Sequence, residues 1–451
     1  MFRSVSRSAW RTCCIQFSHK SDPRVLHPRH CSGNTRSPID LKRDSKVFST
    51  FFTHLFYYSY DIIHTIYMDT SLKKIFSSGL AGLAQIFKPA PSSKSALGID
   101  IGSSSIKVVQ LKKKGGKAVL ETYGALSLGP YGKTEVGTVT NLQTEDIARA
   151  LVDVMKESNI TTQSGAIAIP SSSSLIFTIN LPAKVTEDQL ATIVPIEARK
   201  YIPVPISEVT LDWFMVPQEV STFESDAMNT GPSDIPQTSE PKVEVLVVAI
   251  HNDILTRYQD ILTKTGIHSD SFEMEIFSNI RSSFNYDLAP VMFIDFGASK
   301  TKLSIVEAGV VRVFHVVNRG SQDITKNISS SLSIPFAEAE KLKRAVGLDA
   351  ANNAQAADIA RLSIDYIFSD TNSVVLAYEK KYNKNISKVI MIGGGSLLRG
   401  LLERAKENLH TEVVYGDPFA KTEAPAFLKQ VLELSGPEFS VAVGLALRQL
   451  S

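Results

Sequence analysis

Leu97-Gly98-Ile99-Asp100-Ile101-Gly102-Ser103-Ser104-Ser105-Ile106-Lys107 returns, 195 residues later, as Met292-Phe293-Ile294-Asp295-Phe296-Gly297-Ala298-Ser299-Lys300-Thr301-Lys302. Aspartate, glycine, serine and the closing lysine keep register in both copies. In each, an apolar strand delivers the aspartate, the glycine makes a tight turn, small hydroxyl residues follow, and a second strand leaves. That order suits a phosphate. Glycine lets backbone N–H groups approach, hydroxyls and lysine donate to the oxygens, and the aspartate can hold a magnesium ion through water. A single Asp-x-Gly turn is common; a pair facing each other across a cleft makes a clamp.

A third glycine-rich loop completes it. Val389-Ile390-Met391-Ile392 reads as a buried strand running into Gly393-Gly394-Gly395-Ser396-Leu397-Leu398-Arg399-Gly400, and helical spacing follows at Leu401, Leu402, Ala405 and Leu409. Bare glycine backbone accommodates an adenosine and its α-phosphate, and a helix N-terminus adds donors. A strand-to-helix turn without a ligand is the plainer reading of this loop taken alone.

Together these segments resemble the PilM family of type IV pilus assembly, a branch of the actin-like ATPases related to the cell-division protein FtsA. The likeness covers 95–451 and is carried by Gly98–Val109, by Glu197-Ala198-Arg199-Lys200-Tyr201-Ile202-Pro203-Val204-Pro205-Ile206, by Val243–Ala249, by Glu338–Lys343 and by the Gly393–Gly400 loop. It implies an α/β, actin-like ATPase fold of two related domains with an inserted strand–helix–strand–strand subdomain. ATP and Mg2+ are the implied ligands. The first phosphate loop would be Asp100, Gly102, Ser103, Ser104, Ser105 and Lys107; the second, Asp295, Gly297, Ala298, Ser299 and Thr301. Gly393, Gly394, Gly395 and Ser396 would form the third, with Glu338 and Lys341 beside ribose and base. Asp100 and Asp295 are the candidates for metal binding and for positioning water. Lys300 and Lys302 depart from the family pattern, where small or neutral residues are usual; they either tighten phosphate binding or point to solvent. Arg399 stands where a proline is common.

Composition agrees with a fold of this size. At 451 residues, 43% hydrophobic and 21% charged, the chain suits a globular protein of about two domains. Its net charge of +2 hides an asymmetry: residues 1–67 hold ten Lys/Arg against four acids, so the remainder is mildly acidic and shows no nucleic-acid footprint. All three cysteines, Cys13, Cys14 and Cys31, lie in this leader, which excludes disulfides and zinc–thiolate chemistry from the body. The leader lacks periodicity, and its aromatic run is interrupted by His54, Asp61 and His64, so residues 1–67 are expected to be a non-native or disordered leader, with translation starting at Met68.

Residues 68–94 read as an amphipathic helix and linker, stopped by Pro89 and Pro91. The first actin-like domain is expected over 95–170, the inserted subdomain over 171–265 with a flexible loop at 220–241, and a return to the first domain over 266–290. The second domain would span 291–438, and 439–451 would be a helix packing on the first. Further helices are expected at 144–158, capped by Thr144, and at 187–200, 251–265, 321–332, 336–345 and 354–381.

The resemblance implies a cytoplasmic ATP-binding scaffold at the inner face of the cytoplasmic membrane. It would recruit a PilN-like membrane-anchored protein through that partner's cytoplasmic N-terminal peptide, with Tyr201 and Ile202 near the contact. FtsA-like membrane tethering in cell division is the alternative. A small-molecule kinase is a weaker one, because no His/Asp/Asn cluster marks an acceptor pocket. Turnover needs a group that orients the attacking water, and spacing alone identifies none beyond the two aspartates.

Overall fold

A computed structural model describes residues 95–216, 242–269, 272–285 and 287–451, all within one compact unit. The leader, the 68–87 helix and the 220–241 loop lie outside the described residues.

The duplication in sequence is a duplication of sheets. Strands β1 (Ser95–Ile101), β2 (Ser105–Lys114) and β3 (Lys117–Ser127) form an antiparallel meander, to which β4 (Gly165–Ile169) and β8 (Phe272–Met274) add in parallel, giving the order β3-β2-β1-β4-β8. In the second half β9 (Val291–Phe296), β10 (Thr301–Glu307) and β11 (Val310–Val317) repeat the meander, and β12 (Lys388–Ile392) and β13 (Glu412–Tyr415) the parallel additions. Strands β1, β4, β9 and β12 are almost wholly buried, as continuous apolar runs require when both faces are covered.

Helix α1 (Thr144–Glu157) buries Ile147, Leu151 and Val154 against the first sheet. Its cap differs from expectation: Gln143 occupies the cap position in extended conformation and Thr144 is already helical. The inserted subdomain follows in the expected order: β5 (Ser174–Pro182), α2 (Glu187–Ala198), β6 (Val209–Met215), β7 (Lys242–His251), with β7 central in a three-stranded sheet. Helix α2 stops at Ala198, short of the expected Lys200, because the chain turns there towards Pro203 and Pro205. Its Leu190, Val194 and Ala198 fill a separate small core with Ile179, Ile202 and Val247.

After α3 (Asn252–Thr265) comes α4 (Glu275–Ser283), which the sequence pattern does not reveal. The second half carries α5 (Ser321–Leu332), α6 (Phe336–Val346), α7 (Ala354–Tyr382), α8 (Leu401–Leu409) and α9 (Lys429–Ser435), and the chain ends in α10 (Ser440–Leu450). Helix α10 lies on the first sheet, with Ala442, Val443 and Ala446 packed among Ala96, Val109 and Leu111. Contact with that sheet begins before the expected boundary at 438: Phe419 joins the same core, and Leu120 N–H donates to Glu423 O at 2.8 Å. No described helix is long and apolar enough to cross a membrane.

Candidate functional site

The two hairpins share one internal architecture. Asp100 pairs in register with Lys107, and Lys107 Nζ stands 3.4 Å from Asp100 Oδ2. Asp295 pairs with Lys302 in the same way, at 3.2 Å. Each turn is closed by its glycine: Gly102 N–H donates to Ser105 O at 3.0 Å and Gly297 N–H to Lys300 O at 3.1 Å. Among the described residues, the backbone N–H groups of Ser103, Ser104, Ala298 and Ser299 meet no backbone acceptor. The hydroxyls of Ser103, Ser104, Ser105 and Ser299 take part in no hydrogen bond there either. Both turns therefore present unspent donors, the donor set an anion requires.

The hairpins converge. Burial acts to lower the Lys107 pKa, but Asp100, Glu438 and Asp295 together hold it above the ordinary value. Lys302 behaves likewise: Asp295, Glu275 and Asp100 outweigh its burial and raise it. The neighbouring carboxylates thus favour the charged form of both ammonium groups. Lys302 does not face solvent. Its Nζ bridges Asp295 Oδ2 at 3.2 Å and Glu275 Oε1 at 2.8 Å, with only 17% of the side chain exposed.

The third loop closes on the second hairpin. Gly393 adopts φ +84, and a Cβ there would stand 2.5 Å from Asp295 Oδ1; one at Gly395 would lie 2.7 Å from Phe296 O. Both glycines are therefore required by packing as well as by any ligand. Gly394 is different: it is exposed, and the nearest group to its missing Cβ is Glu438 Oε2 at 3.7 Å. Arg399 ties the loop to the 348–349 segment, its carbonyl accepting from Leu348 N–H at 2.9 Å and its guanidinium meeting Asp349 at 3.2 Å.

Several expected ligands are turned elsewhere. Thr301 is fully buried and donates to Arg319 O at 2.9 Å; Ser396 is fully buried and donates to Gly393 O at 2.6 Å. Glu338 and Lys341 lie exposed on α6. The residues of that helix turned inward are Glu340 and Lys343, which pair at 2.7 Å and both bond the Thr325 hydroxyl. Helical rotation separates the two sets, since positions two apart point to nearly opposite sides. Glu340 also abuts Gly137 of the first half, and Val139 N–H donates to Gln322 of α5, so the 129–142 segment reaches across to the second half.

Sequence reasoning missed Glu275 and Glu438. Glu275 sits at the start of α4, where burial pushes its pKa up despite Lys302. Burial likewise raises Glu438, which approaches from the short turn Gly436–Phe439 ahead of α10. Neither belongs to a motif; the only signal for Glu275 is an acid at the junction of a short apolar strand and a helix. Among the described residues no group of three or more His, Cys, Asp or Glu forms a direct metal site.

This architecture is that of an actin-like ATPase fold. A solved PilM–PilN type IV pilus biogenesis complex superposes with TM-score 0.66 at 22% identity, over 80% of this chain and 100% of that one. Residues 98–450 match the family described as type IV pilus assembly protein PilM, and the chain belongs to that family. It is also 27% identical over 178 residues to the cell division protein FtsA of Rhizobium meliloti (strain 1021), a match spanning 34% of this chain and 38% of that protein. The ethanolamine utilization protein EutJ from Carboxydothermus hydrogenoformans aligns over 84% of this chain and 98% of its own, at 15% identity and TM-score 0.44.

Proposed function

We propose that this protein binds ATP with magnesium between the two hairpins and serves as a PilM-type scaffold of a pilus assembly platform. The observation that carries the nucleotide reading is the pair of turns with unspent N–H and hydroxyl donors, each backed by a charged lysine. Ser103, Ser104, Ser105, Ala298 and Ser299 would hold phosphate oxygens, Lys107 would balance their charge, and Gly394 would lie against the nucleoside. Magnesium would neutralise phosphate charge. Asp100 and Asp295 would orient its waters.

The scaffold reading rests on family membership and on the inserted subdomain. Its exposed corner combines Ile196 and Tyr201 with Arg199 and Lys200, while Ile202 fills the core beneath. Apolar and basic groups side by side suit a short amphipathic peptide carrying acidic residues. The proposed partner is the cytoplasmic N-terminal segment of a PilN-like membrane-anchored protein, which would place this chain at the inner face of the cytoplasmic membrane.

Thermal denaturation with and without ATP–Mg2+ tests the nucleotide reading. A ligand at 100 times its dissociation constant stabilises by about 2.7 kcal/mol. Asp100→Ala and Asp295→Ala should each lose most of the ATP-dependent rise in Tm. Full retention of that rise in both variants would place the ligand elsewhere.

A further inference from the structure

Glu275 joins the cleft to the inserted subdomain through one oxygen atom. Its Oε1 accepts the Lys302 ammonium at 2.8 Å and the backbone N–H of Ser171 at 2.7 Å. Ser171 opens the short turn Ser171–Ser173 that leads directly into β5, so it is the root of the insertion. It is 1% exposed, and its own hydroxyl has no hydrogen-bond partner. A buried unsatisfied hydroxyl beside a shared carboxylate marks a junction that is not at its hydrogen-bonding optimum.

The insertion is tied to the second half at a second point. Glu244 of β7 meets Arg312 of β11 at 3.3 Å and Lys381 of α7 at 3.7 Å. Both ties end on the second meander, on Lys302 of β10 and Arg312 of β11. A displacement of that meander therefore acts at both ends of the insertion's sheet, and a draw on Lys302 acts at the Ser171 end.

We propose that phosphate occupancy of the cleft is relayed to the inserted subdomain through Lys302, Glu275 and the Ser171 N–H. This rests on the nucleotide reading above and adds its regulation. Lys302 has three donors and meets two carboxylates, and a phosphate arriving at the Gly297–Ser299 turn is a further strong anionic acceptor. As Lys302 shares its charge with phosphate, its hold on Glu275 loosens, and Asp295 and Asp100 repel the released carboxylate. Glu275 keeps the Ser171 N–H and moves with it, which resets the start of β5. By reciprocity, a partner that fixes the insertion alters nucleotide affinity by the same factor.

Amide hydrogen exchange of the whole chain with and without ATP–Mg2+ tests the relay. Wild type should show slower exchange in both hairpins and a change of about fivefold or more, in either direction, at Ser171–Thr178, since couplings of this kind span about 5- to 150-fold. Glu275→Gln keeps an oxygen for the Ser171 N–H but loses the ion pair. Its hairpins should still respond to ATP while Ser171–Thr178 does not. A Glu275→Gln protein whose insertion still responds overturns the relay, as does a wild type whose hairpins respond and whose insertion does not. A wild type in which nothing responds fails the nucleotide reading itself. Should Glu275→Gln not fold, Arg312→Gln supplies the second arm: it cuts the other tie, so the Ser171–Thr178 response must persist in it.

Discussion

Gly98 of β1 lies directly under the carbonyl of Ala442 in α10, so close that a Cβ on Gly98 would stand 1.8 Å from that oxygen. The second glycine of the pair is on the helix, where a Cβ at Gly444 would lie 2.0 Å from Ser278 O of α4. Backbone contact of this kind seats α10 against the strand that delivers Asp100. Gly98→Ala must therefore push the helix away, and overpacking of this sort costs about 1–3 kcal/mol or more. Its Tm should fall by several degrees, and ATP-dependent stabilisation should shrink with it. An unchanged Tm would show that the helix is not seated as described.

A buried ionic knot joins β8 to α4 and α10. The Glu273 side chain is fully buried, accepts two bonds from Arg281 at 2.6 Å and one from Ser278 at 2.9 Å, and lies 3.8 Å from Arg448 of α10. Glu273→Ala leaves buried cations without their counter-charge and should cost about 3–5 kcal/mol by chemical denaturation. Burial alone would raise the Glu273 pKa, but Arg281 and Arg448 outweigh it and hold it below the ordinary value. A depressed carboxylate contributes stability above its unfolded pKa and loses it as pH falls through the folded one. Wild type should therefore lose stability below about pH 4.5 more steeply than Glu273→Gln.

The paired hairpins were legible because their chemistry is local: strand, aspartate, glycine and hydroxyls are contiguous, and duplication removed chance. Most helices of the second half were legible for a similar reason, since α5, α6 and α7 carry long apolar stripes. Helix α4 was not, because Ser278, Ser282 and Ser283 face α10 and Gly416, where close backbone approach favours small polar residues over an apolar stripe. The Lys302–Glu275 bridge was not legible, because a lysine beside a phosphate loop says nothing about a glutamate supplied by another element. The resemblance points to Glu338 and Lys341, whereas the rotation of the helix turns Glu340 and Lys343 inward.

Asp212 supplies a pH test of the insertion's seating. Burial pushes its carboxyl up to about 8, against the opposing effects of the Trp213 N–H and Arg448. Its side chain accepts from that N–H at 2.9 Å. The folded state thus binds a proton that the unfolded chain releases near pH 4. A raised folded pKa gives stability that is complete at low pH and is lost as pH rises towards 8. Asp212→Asn keeps the acceptor and removes the ionisation, so it should flatten the fall in Tm between pH 5 and 8 and raise Tm at pH 8. An identical pH profile in the variant would mean that Asp212 stays ionised throughout.

The insertion's corner separates packing from recognition. Tyr201 is 54% exposed although it stacks on Phe177 with ring centroids 5.0 Å apart, whereas Ile202 is 6% exposed within the small core. Arg199 and Lys200 are exposed, and among the described residues Lys200 pairs with Glu197 alone, at 2.7 Å. Exposed ion pairs contribute at most about 1 kcal/mol, so Arg199→Glu with Lys200→Glu should leave Tm nearly unchanged. Ile202→Ala should lower Tm, since truncating a buried isoleucine costs about 2–5 kcal/mol. A titration with a synthetic cytoplasmic N-terminal peptide of a PilN-type protein from the same genome then distinguishes the roles. The charge-reversed variant and Tyr201→Ala should each bind it at least about tenfold more weakly, as losing about 1.4 kcal/mol from a contact implies. Wild-type affinity in both would move the partner surface away from this corner.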